Sequence, residues 1–164
     1  MYYPAFFLLL FFGAGAFFDW KNRRIPNWWI LVGAVAGLFT GRLSFFLPLA
    51  AVAVLFFPLF LCRMIGAGDI KMMALMAGFL GAVDGSLSLA AGFALGGVCS
   101  LVKLLYRKEL RSRLSYFHSY VRRLVRTRQI TAYYIPDRDG YGITIPLTVC
   151  LFAGMCTVMF WLHK

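Results

Sequence analysis

The chain consists mainly of long runs of apolar residues separated by short polar stretches. Continuous apolar runs without alternation are typical of membrane-spanning helices, because a helix satisfies its own backbone hydrogen bonds in lipid. Six spans fit this pattern, and glycine or proline marks most of their ends. The second and fourth are shorter than the ~20 residues of a straight crossing, so we expect them to tilt or to stop in a wet cavity. The predicted spans are residues 2–18, 27–39, 44–61, 69–83, 87–105 and 142–162.

The composition supports a membrane protein. Hydrophobic residues make up 62% of the 164 residues, charged residues only 14%, and the mean hydropathy is +0.78. A soluble domain of this size is closer to half apolar and a quarter charged, and it has too small a core to hide this much apolar surface. The fold class predicted is therefore all-α: a polytopic membrane helix bundle of about six transmembrane helices, forming one domain over residues 1–164. The first apolar run, which no basic residue precedes, is expected to be a retained helix rather than a cleaved signal peptide.

The formal charge of +11 is distributed unevenly along the chain. Of the 17 Lys and Arg residues, only Arg42 and Lys164 fall on one side of the six-span topology, which leaves fifteen on the other. Basic loops stay in the cytoplasm, so both termini should face outward.

Residues 107–139 form the only sizeable polar segment. Within it, Leu110, Leu114, Phe117 and Val121 recur at spacings of three and four, and arginines fill many other positions. This pattern predicts a basic amphipathic cytoplasmic helix that lies on anionic membrane lipids. A solvated loop is the alternative. Nucleic acid is not an expected partner, because no stacking platform or nucleic-acid motif accompanies the charge.

The cysteines and histidines offer no metal site. Cys62, Cys99, Cys150 and Cys156 form no C-x-x-C pair and lie in or beside apolar runs, so we expect small buried side chains rather than a zinc site or disulfides. The two histidines have no catalytic neighbour in the sequence. No metal and no cofactor are predicted.

Two of the six acidic residues stand at the cytoplasmic ends of predicted spans. Asp19 ends the first span and Asp69 begins the fourth. Carboxylates at one depth on different helices can meet, and a close pair shares one proton, which lets one member accept a proton from water while the other donates one. Taken singly, Asp69 could be a helix N-cap, and Asp19 could simply accompany the neighbouring basic residues.

The remaining acids have structural interpretations. Asp84 with Gly85 predicts a turn on the outer face. Glu109 is expected to pair with a basic residue of its own segment. Asp137 and Asp139 resemble a turn more than a cation site.

Two blocks of sequence resemble the type IV prepilin peptidase family. The first is Asp19, a basic stretch, and then Ile25, Pro26 and Asn27. The second is the G-x-G-D signature followed by Lys: Gly66, Gly68, Asp69 and Lys71. Residues 141–146 are similar to the Tyr-Gly start of the family's last span.

The resemblance implies an aspartyl endopeptidase in which Asp19 and Asp69 are catalytic and the other residues of the two blocks support them. It implies a location in the inner membrane of a bacterium, and prepilin or pseudopilin substrates that are cut at the cytoplasmic face after a short basic leader. Long members carry a cysteine-bearing insertion after the first span, and many also N-methylate the new terminus. Here only residues 20–26 join the first two spans, so a small, peptidase-only member is expected.

Three alternatives stay open at this point. A presenilin-like intramembrane protease also uses G-x-G-D, but it pairs the signature with a Tyr-Asp block, whereas Phe18 precedes Asp19 here. A proton-coupled carrier could use the same two carboxylates, although the inverted repeats that would support it are not evident. A non-catalytic scaffold of a secretion machine could use the basic segment as its anchor.

Overall fold

The computed structural model describes residues 5–39, 43–127, 132–133 and 145–162, and every regular element in these ranges is a helix. This confirms the all-α prediction. The helices, numbered in chain order, are α1 Ala5–Asn22, α2 Asn27–Leu38, α3 Leu43–Leu61, α4 Ala67–Leu80, α5 Ala82–Tyr106, α6 Leu110–Thr127 and α7 Leu147–Leu162.

Helix α4 lies at the centre of the molecule. Nine of its 14 residues are buried, and it contacts α1, α2, α3, α5 and α7. Aromatic rings fill the space around its second half: the ring of Phe79 lies 5.1 Å from that of Phe45 and 6.2 Å from that of Phe11. Helix α4 is therefore the interior helix of the described bundle.

Helices α5 and α7 form the most extensive pair. Their backbones touch because glycines face each other: a Cβ added at Gly154 would lie 2.6 Å from Cα of Gly92 and 2.7 Å from the carbonyl oxygen of Ser88. Small residues of this kind allow close helix packing in membranes. The contact fixes α7, and with it the helix start at Leu147, against the rest of the bundle.

The turn between α4 and α5 is one residue long and differs from the prediction. Gly81, with φ of 85°, ends α4, and α5 begins at Ala82. The prediction of a turn at Asp84 and Gly85 is wrong, because both residues lie inside α5. Gly85 instead permits close packing, since a Cβ there would lie 2.8 Å from Cα of Ala77.

Two of the described helices are long and apolar enough to cross a membrane, over Ser44–Leu61 and Ala82–Tyr106. Only 11% and 17% of these windows are buried in the protein. Apolar helices of a soluble core are usually mostly covered, whereas most of each of these two windows is exposed. Helices α2 and α7 are also apolar but shorter.

Most other boundaries lie within a few residues of the predicted ones. Helix α4 begins two residues before Asp69, and α5 begins five residues before the predicted start. In the last span the helix begins at Leu147, and residues 142–144 lie outside the described ranges. Among the cysteines, Cys150 is buried as expected, but Cys99 is exposed.

Helix α6 covers the middle of the predicted basic segment, whose residues 128–131 and 134–139 lie outside the described ranges. One side of α6 is docked on the bundle. Tyr120 is buried, the hydroxyl of Tyr116 donates to the carbonyl of Tyr133 at 3.1 Å, and the Tyr133 N–H donates to the carbonyl of Cys62 at 2.9 Å. The helix is thereby attached to the loop that precedes Gly66.

The predicted partner of Glu109 is present. Its carboxylate lies 3.9 Å from Nε of Arg113, one turn along the same segment. Both side chains are partly exposed, so the pair contributes little to stability.

Candidate active site

Asp19 lies in the last turn of α1, where the helix is about to end. Arg23 adopts a φ of 53°, the left-handed conformation that typically terminates a helix, and its N–H donates to the carbonyl of Asp19 at 2.9 Å. Asp19 is only 7% exposed, which is low for a carboxylate at a helix end. A buried carboxylate needs hydrogen-bond partners, because an unpaired buried charge is costly.

Asp69 is the third residue of α4. The N-cap of this helix is Gly66, in extended conformation, so Asp69 is not the N-cap. Its carboxylate instead reaches back to the N–H of Gly66, as the acidic residue of a capping box does. The helix N-terminus therefore holds this side chain in a defined direction.

The two sequence blocks pack directly on each other. A Cβ on Gly68 would contact the side chain of Ile25 at 3.4 Å, and Nζ of Lys71 donates to Oδ1 of Asn27 at 3.2 Å. Pro26 is the N-cap residue of α2, and its carbonyl accepts from the N–H of Trp29 at 3.1 Å. The residues between α1 and α2, together with the start of α2, thus pack against the start of α4.

Thr148 joins the two carboxylates. Its backbone N–H donates to Oδ2 of Asp19 at 3.1 Å, and its hydroxyl donates to Oδ1 of Asp69 at 2.9 Å. Thr148 is the second residue of α7 and is 1% exposed. Three helices, α1, α4 and α7, therefore converge at one point, and both predicted catalytic side chains are bound to one residue.

A cavity of about 300 Å³ opens beside the carboxylates. Every predicted site residue except Pro26 lines it. Three cationic side chains also border it, which gives the carboxylates a positively charged rim. The lining residues are Asp19, Arg23, Arg24, Ile25, Asn27, Gly66, Ala67, Gly68, Asp69 and Lys71.

The other acidic residues are elsewhere or outside the described ranges. Asp84 lies in the first turn of α5, and Glu109 lies beside α6. Asp137 and Asp139 fall outside the described residues, as do residues 141–144 of the stretch similar to the family's last span.

In the part of the chain that the structure describes, no three His, Cys, Asp or Glu side chains are grouped so that they could hold a metal ion.

The sequence reasoning missed Thr148. A threonine in an apolar run carries no motif, and only a helix start at Leu147 shows that its N–H has no partner within the helix. Only the folded structure shows that this N–H donates to Asp19.

The model of the type IV leader peptidase family matches residues 6–101, more than half of the chain. The chain belongs to the type IV leader peptidase family. The matched range contains both aspartates and both sequence blocks, whereas α6, α7 and Thr148 lie beyond it. No curated protein matches the chain, and no solved structure does.

Proposed function

We propose that this member of the type IV leader peptidase family is an aspartyl endopeptidase that removes the short basic leader of type IV prepilins or pseudopilins. The observation that carries the proposal is the convergence of Asp19 and Asp69 on Thr148 at the edge of one cavity. Two carboxylates from different helices are thereby close enough to act on one water. Family membership supports the substrate class, and the geometry of the two carboxylates supports the reaction chemistry.

The mechanism follows from the properties of a close carboxylate pair. Two adjacent carboxylates cannot both ionise readily, so they hold one proton between them. The ionised member takes a proton from water as the water oxygen bonds to the scissile carbonyl carbon, and the protonated member donates its proton to the carbonyl oxygen. The C–N bond then breaks as the departing amine takes the proton that came from water, and the new carboxyl group returns the other proton to the pair.

The cationic rim fits a peptide bound across the cavity. The guanidinium groups of Arg23 and Arg24 and the ammonium group of Lys71 can donate to peptide carbonyl oxygens. The same charges do not attract a basic leader. Acidic lipid headgroups beside the cavity are a better counterpart for the leader than the cavity itself.

The experiment that tests the proposal is cleavage by the purified full chain in lipid, with a panel of prepilins and pseudopilins as substrates. The expected result is one new N-terminus directly after the basic leader, measured by mass spectrometry. Cleavage inside the substrate's membrane span would instead indicate presenilin-like activity. No cleavage of any substrate would favour a carrier or a scaffold.

The membrane arrangement belongs to the same proposal. The helices form one multi-pass domain of about six spans in a bacterial inner membrane, with the cavity at the cytoplasmic face. Its support is the apolar exposed surface of α3 and α5, together with the concentration of cationic residues around the cavity and along α6.

We further propose that α6 binds anionic lipid. The side of α6 that carries Tyr120 is docked on the bundle, but a second side exposes four apolar residues to solvent: Leu114, Phe117, Val121 and Val125. Arg111 and His118 border the same shallow surface as Leu114, Phe117 and Val121. Helix α5 is long and apolar enough to cross a membrane, and it ends at Tyr106. Helix α6 begins only a few residues later, at Leu110. An apolar stripe beside arginines at a membrane surface matches acyl chains below anionic headgroups.

Hydrogen–deuterium exchange of the full chain in lipid nanodiscs tests this binding. Amides of residues 110–127 should exchange more slowly in nanodiscs that contain anionic lipid than in neutral ones, and added salt should reduce the difference. Arg111→Gln should weaken the effect more than Arg123→Gln, which removes the same charge from the side of the helix opposite Val121. Protection that is independent of lipid charge, or equal loss in both variants, would overturn the proposal.

A further inference from the structure

The contacts of Thr148 assign it a role beyond packing. We infer that Thr148 is a positioning residue of the carboxylate pair: its N–H fixes Asp19 and its hydroxyl holds the proton that Asp19 and Asp69 share. The inference rests on the proposed function, since it concerns the pair that would perform the hydrolysis. It adds a residue that lies outside the matched family range and both sequence blocks.

The backbone contact comes from the start of a helix. The first N–H groups of α7 have no carbonyl partner within the helix. The N–H of Thr148 is one of these groups, and it donates to Oδ2 of Asp19 at 3.1 Å. Because this donor belongs to the backbone, no side-chain substitution removes it, and Asp19 should stay in place in any variant whose α7 is intact.

The hydroxyl contact has a different property. A threonine hydroxyl carries one proton and two acceptor lone pairs. It donates to Oδ1 of Asp69 at 2.9 Å, and it also lies within reach of the Asp19 carboxylate. When one carboxyl is protonated, that group can donate to the hydroxyl while the hydroxyl donates to the other. The hydroxyl can therefore remain fully bonded whichever aspartate carries the proton.

Burial makes this arrangement consequential. Thr148 is 1% exposed and Asp19 is 7% exposed, whereas Asp69 is half-buried at the cavity, so only water on the cavity side could replace a lost hydroxyl bond. Hydrogen bonds to charged groups in such surroundings are stronger than neutral ones. Removing the hydroxyl should leave the carboxylates in place but without the group that binds both.

Three variants separate positioning from packing. Thr148→Val keeps the shape of the side chain and the backbone donor but removes the hydroxyl. Thr148→Ser keeps the hydroxyl and removes a methyl group. Thr157→Val is the matched control, because its hydroxyl donates only to the carbonyl of Gly154 at 2.7 Å, further along the same helix.

Two measurements on the full chain in lipid decide the inference. In the first, prepilin cleavage is followed over a range of pH: Thr148→Val should be about ten- to a hundredfold slower, with its optimum moved to higher pH because the carboxylates lose a donor to their ionised forms. Thr148→Ser should recover most of the rate, and Thr157→Val should match wild type. A Thr148→Val variant with the rate and pH profile of Thr157→Val would overturn the inference.

The second measurement needs no substrate. Infrared titration follows the protonated carboxyl bands, assigned by their loss in Asp19→Asn and Asp69→Asn. These bands should titrate differently in Thr148→Val than in wild type or Thr148→Ser. Unchanged bands would refute the role of Thr148, whereas altered bands in a protein that cleaves no prepilin would refute the proposed function alone.

Discussion

Replacing Gly154 by alanine should destabilise the protein, because this glycine lies where the backbones of α5 and α7 touch. A Cβ there would lie 2.6 Å from Cα of Gly92 and 2.7 Å from the Ser88 carbonyl oxygen, against 3.4–4 Å for an ordinary contact. Both neighbours are backbone atoms, so no rotamer change relieves the clash, and the helices must separate by roughly 1 Å.

The size of the effect follows from two opposing terms. Overpacking of a tight contact costs about 1–3 kcal/mol, whereas replacing glycine by alanine inside a helix gains about 0.5–1 kcal/mol. The clash should prevail, with a net loss of about 1–2 kcal/mol. Because α7 carries Thr148, its displacement should also slow cleavage.

Thermal unfolding of the purified protein in detergent measures this effect. The matched control is Gly97→Ala, on α5, where an added Cβ meets nothing within 4 Å. Gly97→Ala should unfold at the wild-type temperature or slightly above it, and Gly154→Ala several degrees below. If Gly154→Ala unfolds no earlier than Gly97→Ala, the close packing of α5 and α7 is refuted.

Three further predictions concern the site and its surroundings. Cysteines introduced in place of Arg113 and Arg126 should react with an impermeant reagent only in inverted vesicles, and labelling from the outer side alone would contradict the topology. Chelators should leave cleavage unchanged, because a carboxylate pair can activate water by itself; loss of activity that zinc restores would contradict the aspartyl mechanism. Lys71→Gln should lower kcat/KM about three- to tenfold without lowering the unfolding temperature, since it weakens one partly solvated hydrogen bond to Asn27. An unfolding temperature well below wild type would show that Lys71 has a wider structural role.

The position of the two aspartates could be predicted because it depends on local signals. Asp19 and Asp69 are rare acids at the ends of apolar runs, and a topology drawn from charge asymmetry places both at one face. Predicting that the two residues lie at the same depth requires no knowledge of how the helices pack. Their catalytic roles remain predictions.

The features that could not be predicted depend on tertiary contacts. Nothing local distinguishes Thr148 from other residues of an apolar run, because its importance comes from α1 and α4. Asp84 and Gly85 predict a turn because Asp-Gly is a common turn pair, yet Gly81 adopts the positive φ and Gly85 packs on Ala77. A glycine's role in turning or packing is decided by its neighbours in space.

The two acidic residues of the pair provide the most direct test of the central claim. The wild type, Asp19→Asn, Asp69→Asn, the double variant and Asp84→Asn should be co-expressed with a prepilin that the wild type cleaves, and the mature N-terminus quantified by mass spectrometry. Each single variant should lose cleavage, and the double variant should be little worse than either, because the two carboxylates act as one unit. Membrane levels should stay near wild type, and Asp84→Asn should keep most activity. Cleavage at the wild-type rate by Asp19→Asn or Asp69→Asn would contradict the account.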